Sequence, residues 1–305
     1  MLVLQQMIIF VIIMVVGAVA RKHQILTPEN QPQITKLVLN IAYPAIILSG
    51  VTGDGPHMEG MELARAFGVI VAMLAILLIC ARILPKVMGF KKAEQGIVNV
   101  MFVFTNVGFM GVPMIDGIYG KDALIYMTVL LIPFNLLFFS YVIQTIKGGG
   151  ERTPFQWKSL VNPGMISCFL AIILYLSNLK VPYIIAAAVR MIGSMTGPLA
   201  MMLLGSFLLD SDWKQIINRR IVVFTIIKML ILPIAVTLLL KQFVDNTYLL
   251  AVCMAALATP SGNVIPLLAA LYNKEGYPVS VQGVAVTTGA AVVTMPVVAL
   301  VTGLG

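Results

Sequence analysis

The stretch Ala258-Thr259-Pro260-Ser261-Gly262-Asn263-Val264-Ile265-Pro266 lies in the middle of an apolar segment running from about Tyr248 to Tyr272. Two prolines, a glycine and three small polar side chains do not extend a helix, because each proline lacks an N–H and crowds the turn before it. In water such a stretch is a loop. In lipid, non-helical backbone is tolerated only where it is buried in protein or lines a wet cavity. The composition says which solvent applies: 60% of residues are hydrophobic, 10% are charged, and mean hydropathy is +1.00. Soluble domains carry about 25% charged residues. The apolar residues also fall in blocks of the length that crosses a bilayer, about 20 residues as a helix. The chain therefore reads as an all-α integral membrane protein, and an interrupted helix within it marks a binding site.

Ten candidate spans follow, at about 3–20, 33–52, 63–84, 95–118, 122–145, 160–179, 182–209, 219–241, 247–272 and 279–303. The first has its positive residues, Arg21 and Lys22, after it rather than before it, so it reads as a span and not as a cleaved signal peptide. Of the 20 Lys and Arg residues, 14 fall in connections after odd-numbered spans, whereas the loop after span two carries Asp54, Glu59 and Glu62. By the positive-inside rule the odd loops are cytoplasmic, and both termini are extracytoplasmic. This multi-pass chain is expected in the plasma (cytoplasmic) membrane. The net charge of +8 belongs to this loop pattern and does not suggest a nucleic-acid partner. Cys80, Cys168 and Cys253 lie within apolar spans without metal-like spacing and read as packing residues.

An internal repeat organises the spans. Pro113 to Asp122 and Pro266 to Glu275 both read proline, five residues, tyrosine, a small residue, lysine and an acid. Pro44 pairs with Pro198, and Gly108 with Gly262, at nearly the same offset. Two halves result, 1–150 and 151–305, each of five spans. An odd number of spans per half places the second upside down relative to the first. Inverted repeats with interrupted helices at matching positions are characteristic of secondary transporters.

The interruptions are expected around Thr105-Asn106-Val107-Gly108 in span four and Thr259-Pro260-Ser261-Gly262-Asn263 in span nine. A broken helix leaves N–H groups unpaired at the start of its second half, carrying partial positive charge. An anion can dock there without lysine or arginine. Asn106 and Asn263 are the side chains chosen for substrate contact, since an amide offers donors and an acceptor. Thr105, Thr259 and Ser261 either touch substrate or bond backbone where the helix bends. Asn40, with Pro44, lines the same cavity from span two. Pro113, Pro266, Pro44 and Pro198 are the hinge positions. Asp116 and Lys228 are the ionisable candidates at depth: Asp116 as a coupling or steering group or a solvated end residue, Lys228 as an anion attractor or a side chain snorkelling to the cytoplasmic interface. No nucleotide loop and no hydrolase motif is present, so neither an ATP-driven pump nor an enzyme is expected, and no cofactor or metal is implied.

Leu37-Val38-Leu39-Asn40 with Pro44, Asn106 with Met110-Gly111-Val112-Pro113 and Tyr119-Gly120, Pro198-Leu199-Ala200, and Thr259-Pro260 with Pro266 and Tyr272-Asn273 resemble the auxin efflux carrier family. That family includes plant PIN-type carriers and bacterial malate or malonate permeases. The resemblance implies ten transmembrane helices as two inverted five-helix repeats with crossed, broken fourth and ninth helices, a fold shared with bile-acid symporters and sodium/proton antiporters. It implies a scaffold of spans 1, 2, 6 and 7 beside a core of spans 3–5 and 8–10, moving as an elevator, with the crossover asparagine at Asn106 and the ninth-helix proline at Pro260. The loop after span five lacks the long insert of many plant carriers, and the span-nine break lacks the sodium-binding glutamate of bile-acid symporters.

The function expected is a secondary carrier or facilitator for a small organic anion, a mono- or dicarboxylate, with the lipid bilayer as its surroundings and a homodimer as one admissible assembly. Alternatives from other classes are a non-transporting receptor for the same ligand and a cation/proton antiporter on the same fold.

Overall fold

The computed structural model describes residues 2–52, 60–147, 162–177, 179, 181–209 and 218–304, and the described residues are almost entirely helical. The boundary near residue 150, and loop cations such as Arg152, Lys158 and Lys214, lie outside them. Helix α1 is Leu2–Lys22, α2 Gln31–Leu37, α3 Tyr43–Ser49, α4 Gly60–Val87, α5 Lys92–Val103, α6 Val112–Tyr119 and α7 Lys121–Ile146. The second part holds α8 Pro163–Leu176, α9 Tyr183–Ser194, α10 Thr196–Leu209, α11 Arg219–Ile226, α12 Leu232–Leu240, α13 Thr247–Ala258, α14 Val264–Tyr272 and α15 Tyr277–Thr302.

Among the described residues, six helical runs are long and apolar enough to cross a membrane: Leu2–Lys22, Gly60–Val87, Lys121–Ile146, Tyr183–Leu209, Arg219–Leu240 and Tyr277–Thr302. The protein is a multi-pass membrane protein. The shorter apolar helices include α13, whose 12 residues rise only about 18 Å against a hydrocarbon thickness of about 30 Å. A helix of that length ends inside the membrane unless another segment continues it.

Among the described residues, three π-helical turns widen the helices, at Val38–Ala42, Val107–Gly111 and Ile227–Ile231. Each is closed by the residue before a proline: the N–H groups of Tyr43, Val112 and Leu232 donate five residues back, to the carbonyls of Val38, Val107 and Ile227. Pro44, Pro113 and Pro233 follow at once. A proline cannot donate, and its ring crowds the carbonyl four residues back. Widening the turn by one residue eases the crowding, though one carbonyl still goes without a backbone donor, and such turns recur at functional sites.

Close helix pairs are made possible by glycine. A Cβ on Gly17 of α1 would strike the backbone of Met202 in α10, and one on Gly205 of α10 would strike that of Met14 in α1. A Cβ on Gly96 would likewise strike the Thr145 backbone of α7. Burial divides the helices by role. In α13 every residue from Leu249 to Ala258 is buried, whereas α1 exposes Ile8, Ile9, Ile12, Val15 and Val16 along one side. A helix that is apolar all round belongs in the interior; the open side of α1 suits lipid.

Side chains fasten the ends of the elements. Asn273 donates to the carbonyls of Ala93 and Ile146 at 2.8 and 2.9 Å, and its Oδ1 accepts from the Gly276 N–H. The Tyr119 hydroxyl donates to the Leu304 carbonyl at 2.8 Å. These members of the duplicated proline-to-acid motif are thus anchors. Tyr126 and Asn246 both donate to Glu62 Oε1, at 2.6 and 3.1 Å, tying α4, α7 and the start of α13.

Candidate functional site

Helix α5 ends at Val103, and Phe104 is extended (φ −98°, ψ 102°); the chain becomes helical again at Val107. Helix α13 ends at Ala258, Thr259 is extended (φ −64°, ψ 148°), and α14 begins at Val264. The two interruptions meet. Thr105 and Ser261 form an antiparallel bridge, with the Asn106 N–H donating to the Pro260 carbonyl at 2.7 Å and the Gly262 N–H donating to the Phe104 carbonyl at 2.9 Å. Asn106, rather than Gly108, therefore holds the position reciprocal to Gly262. Gly108, which the repeat offset pairs with Gly262, lies two residues further on, within the Val107–Gly111 turn.

Side chains complete the join. Thr105 Oγ1 donates to the Ala256 carbonyl at 2.8 Å, and Ser261 Oγ donates to the Met101 carbonyl at 3.0 Å. The Ser261 N–H reaches Thr287 Oγ1 of α15 at 3.2 Å. Thr105, Thr259 and Ser261 are all buried. The hydroxyls of Thr105 and Ser261 are thus engaged in holding one interruption to the other. This is the physical condition for non-helical backbone in lipid: its polar groups find partners inside the protein.

Some polar groups here have none. Asn106 is 5% exposed, and its Nδ2 is buried without a hydrogen-bond partner; Asn263 Oδ1 is likewise buried and unpartnered. Among the described residues, the N–H groups of Val107, Gly108, Phe109, Asn263 and Val264 also lack an acceptor. A buried polar group left unpaired costs about 1–3 kcal/mol. Two such amides in the buried part of one junction offer a donor and an acceptor to a guest. Pro266, in the first turn of α14, adds no further unpaired donor, since an N–H there has no intrahelical acceptor anyway.

Other candidates fall differently. Asn40 lies exposed in its widened turn, donating to the Lys36 carbonyl of its own helix at 2.9 Å. Its neighbour Tyr43 is the span-two residue that reaches the first interruption. A Cβ on Gly108 would stand 3.3 Å from Tyr43 Cε2, and one on Gly164 3.1 Å from Cε1. The Tyr43 hydroxyl has no hydrogen-bond partner among the described residues. The signal was present in the sequence as an aromatic residue directly before Pro44. Pro113 is buried, with Gly197 of α10 packed against it, while Pro198 is exposed. Asp116 is half-buried on α6, away from the interruption, in the field of Arg190 and Lys121.

Lys228 does not snorkel. It is 1% exposed, and its Nζ donates to the carbonyls of Leu257 and Thr259, each at 2.9 Å. Snorkelling needs a path along the surface, and the Lys228 stem, in the Ile227–Ile231 turn, points instead at the open end of α13.

The chain is similar to known membrane transport proteins. A family model described as a membrane transport protein matches residues 2–299. A protein of Methanocaldococcus jannaschii named uncharacterized transporter MJ1031 is 27% identical over 206 residues, which are 65% of this chain and 66% of that protein. The chain thus spans just under two thirds of that relative's length. With an interrupted pair of apolar helices joined at their breaks and a family match along nearly its whole length, the chain belongs to the membrane transport protein family, that of the auxin efflux carriers.

Proposed function

We propose that this membrane transporter is a secondary carrier or facilitator for a small organic anion, a carboxylate such as malate, malonate or an auxin-like acid, working by alternating access. One observation carries the reading. The two interruptions are bonded to each other through backbone and hydroxyls, yet keep the Asn106 amide and the N–H groups of Val107, Gly108 and Phe109 unpaired. N–H groups at a helix start favour negative charge. A carboxylate accepting from them would replace part of its hydration with fixed donors. Anionic substrates docked on broken-helix N-termini near the midplane are a recurrent solution in carriers built from inverted repeats.

The same reading takes the chain as ten spans in two inverted halves. Helices α1, α2–α3, α8 and α9–α10 form the scaffold, and α4–α7 with α11–α15 form the core that carries the joined interruptions. Packing of α1 along α10, and of α3 against α8 and α9, supports this grouping. Movement of the core against the scaffold would carry the site across. Tyr43, on the scaffold side and packed on Gly108, would then touch the site at the moving boundary.

The test is counterflow in proteoliposomes, with labelled malate, malonate and an indole carboxylate offered in turn. Saturable counterflow of at least one, reduced about tenfold or more by Asn106→Ala with folding retained, is the expected result, since losing a hydrogen bond to a charged group is worth about 1.5–3 kcal/mol. Binding without counterflow would instead identify a receptor. Normal kinetics in both Asn106→Ala and Asn263→Ala would remove the site.

A further inference from the structure

We propose that Lys228 is a built-in cation of the candidate site: its ammonium fills a carbonyl cradle that an alkali-metal ion would otherwise occupy, so the carrier holds its anion without a co-bound metal ion. The proposal rests on the reading of the interruptions as an anion site.

The cradle follows from where α13 stops. The last carbonyls of a helix have no intrahelical donor and carry partial negative charge. Here the Ala255 carbonyl accepts from the Thr259 N–H at 3.0 Å, and the Ala256 carbonyl accepts from Thr105 Oγ1 at 2.8 Å. The carbonyls of Leu257 and Thr259 both turn to Lys228 Nζ, each at 2.9 Å. Carbonyls at a half-helix C-terminus and in unwound backbone are also the groups that coordinate sodium in carriers with broken helices. Lysine supplies the same charge covalently.

The charge has no carboxylate beside it. Among the described residues no aspartate or glutamate pairs with Lys228. Taking an ion from water without a charged partner is strongly unfavourable, and ionisable residues kept at such depth are functional by default. The widened turn Ile227–Ile231, closed by Leu232 before Pro233, contains Lys228. The carbonyl of Pro260, one residue beyond Thr259, accepts from the Asn106 N–H. An anion at Asn106 and the ammonium at Thr259 would therefore face each other across one short length of extended chain.

The experiment uses the purified full chain, with sodium chloride exchanged for choline chloride at equal ionic strength. The wild type is expected to keep the same unfolding temperature and the same malonate or malate counterflow in both salts. In Lys228→Ala the cradle is vacated. Its counterflow in choline should fall about tenfold or more, and its unfolding temperature should now rise saturably with sodium. Saturable stabilisation of the wild type by sodium would overturn the proposal, as would wild-type counterflow by Lys228→Ala in choline. If Lys228→Ala does not fold, Lys228→Met and the wild-type salt exchange still decide. If the wild type moves no carboxylate at all, the transport reading fails, while the unfolding measurements still report on the cradle.

Discussion

The two interruptions are joined by reciprocal hydrogen bonds, yet their incoming helices end in different ways. At the end of α5 the partners are neutral: the Met101 carbonyl takes the Ser261 hydroxyl, and the Phe104 carbonyl takes the Gly262 N–H. At the end of α13 two carbonyls take a buried ammonium. The outgoing sides differ as well. Beyond Asn106 three consecutive N–H groups and a buried amide nitrogen are unpaired, whereas beyond Gly262 the unpaired set is smaller and Asn263 is only half-buried. The first interruption is thus the donor-rich side and the second the electrostatically anchored side. An approximate symmetry of backbone need not carry a symmetry of chemistry.

Substitutions can break or sharpen that contrast. The largest effect is expected at the two asparagines: Asn106→Ala should lower initial counterflow by about ten- to a hundredfold, and Asn263→Ala by about threefold, if the guest leans on the buried donor more than on the half-buried amide. Equal losses would mean that the two sides share the guest evenly. Next in size is Gly262→Val. An added Cβ meets the Phe104 carbonyl at 3.3 Å, the very group that accepts the Gly262 N–H, so the bridge must give by a few tenths of an ångström. Overpacking of this kind costs about 1–3 kcal/mol, read as a lower unfolding temperature in detergent.

Smaller and more nearly equal effects are expected from Thr105→Val and Ser261→Ala. Each removes one neutral hydrogen bond across the join, worth about 0.5–1.5 kcal/mol. Thermal unfolding of the two single variants and the double variant would give their coupling, and strict additivity would argue against a cooperative junction. The smallest change is expected from Tyr43→Phe, whose hydroxyl bonds no described group. Its unfolding temperature should match the wild type, and the apparent KM should rise about threefold if that hydroxyl faces the guest.

Much of the architecture was legible because the bilayer restricts what a chain can do. Apolar runs had to be helices, and Pro260, Gly262 and Pro266 could not continue one, so an interruption in span nine was readable from residue types alone. Pairing side chains was harder. Asn40 and Tyr43 lie three residues apart in one apolar span, and only the packing on Gly108 and Gly164 decides that the tyrosine reaches the first interruption. The two glycines, Gly108 and Gly262, matched as letters but not as positions, because only the backbone bridge fixes which residues of the two interruptions face each other. Lys228 was visible as a charge at depth, yet its direction was not. A long flexible stem permits either a surface or an interior course, and the choice depends on carbonyls 29 and 31 residues further along the chain.

Residue order by itself determined that this protein lives in a membrane, that its helices are many, and that two of them must break. Those are consequences of hydrophobicity and of missing backbone donors, properties each segment has alone. Tertiary structure decided that the breaks meet, that Asn106 keeps an unpaired buried amide, and that a lysine closes the end of α13. Each of these depends on which distant group arrives within hydrogen-bonding reach, and such reach is a property of the packed chain rather than of any stretch within it.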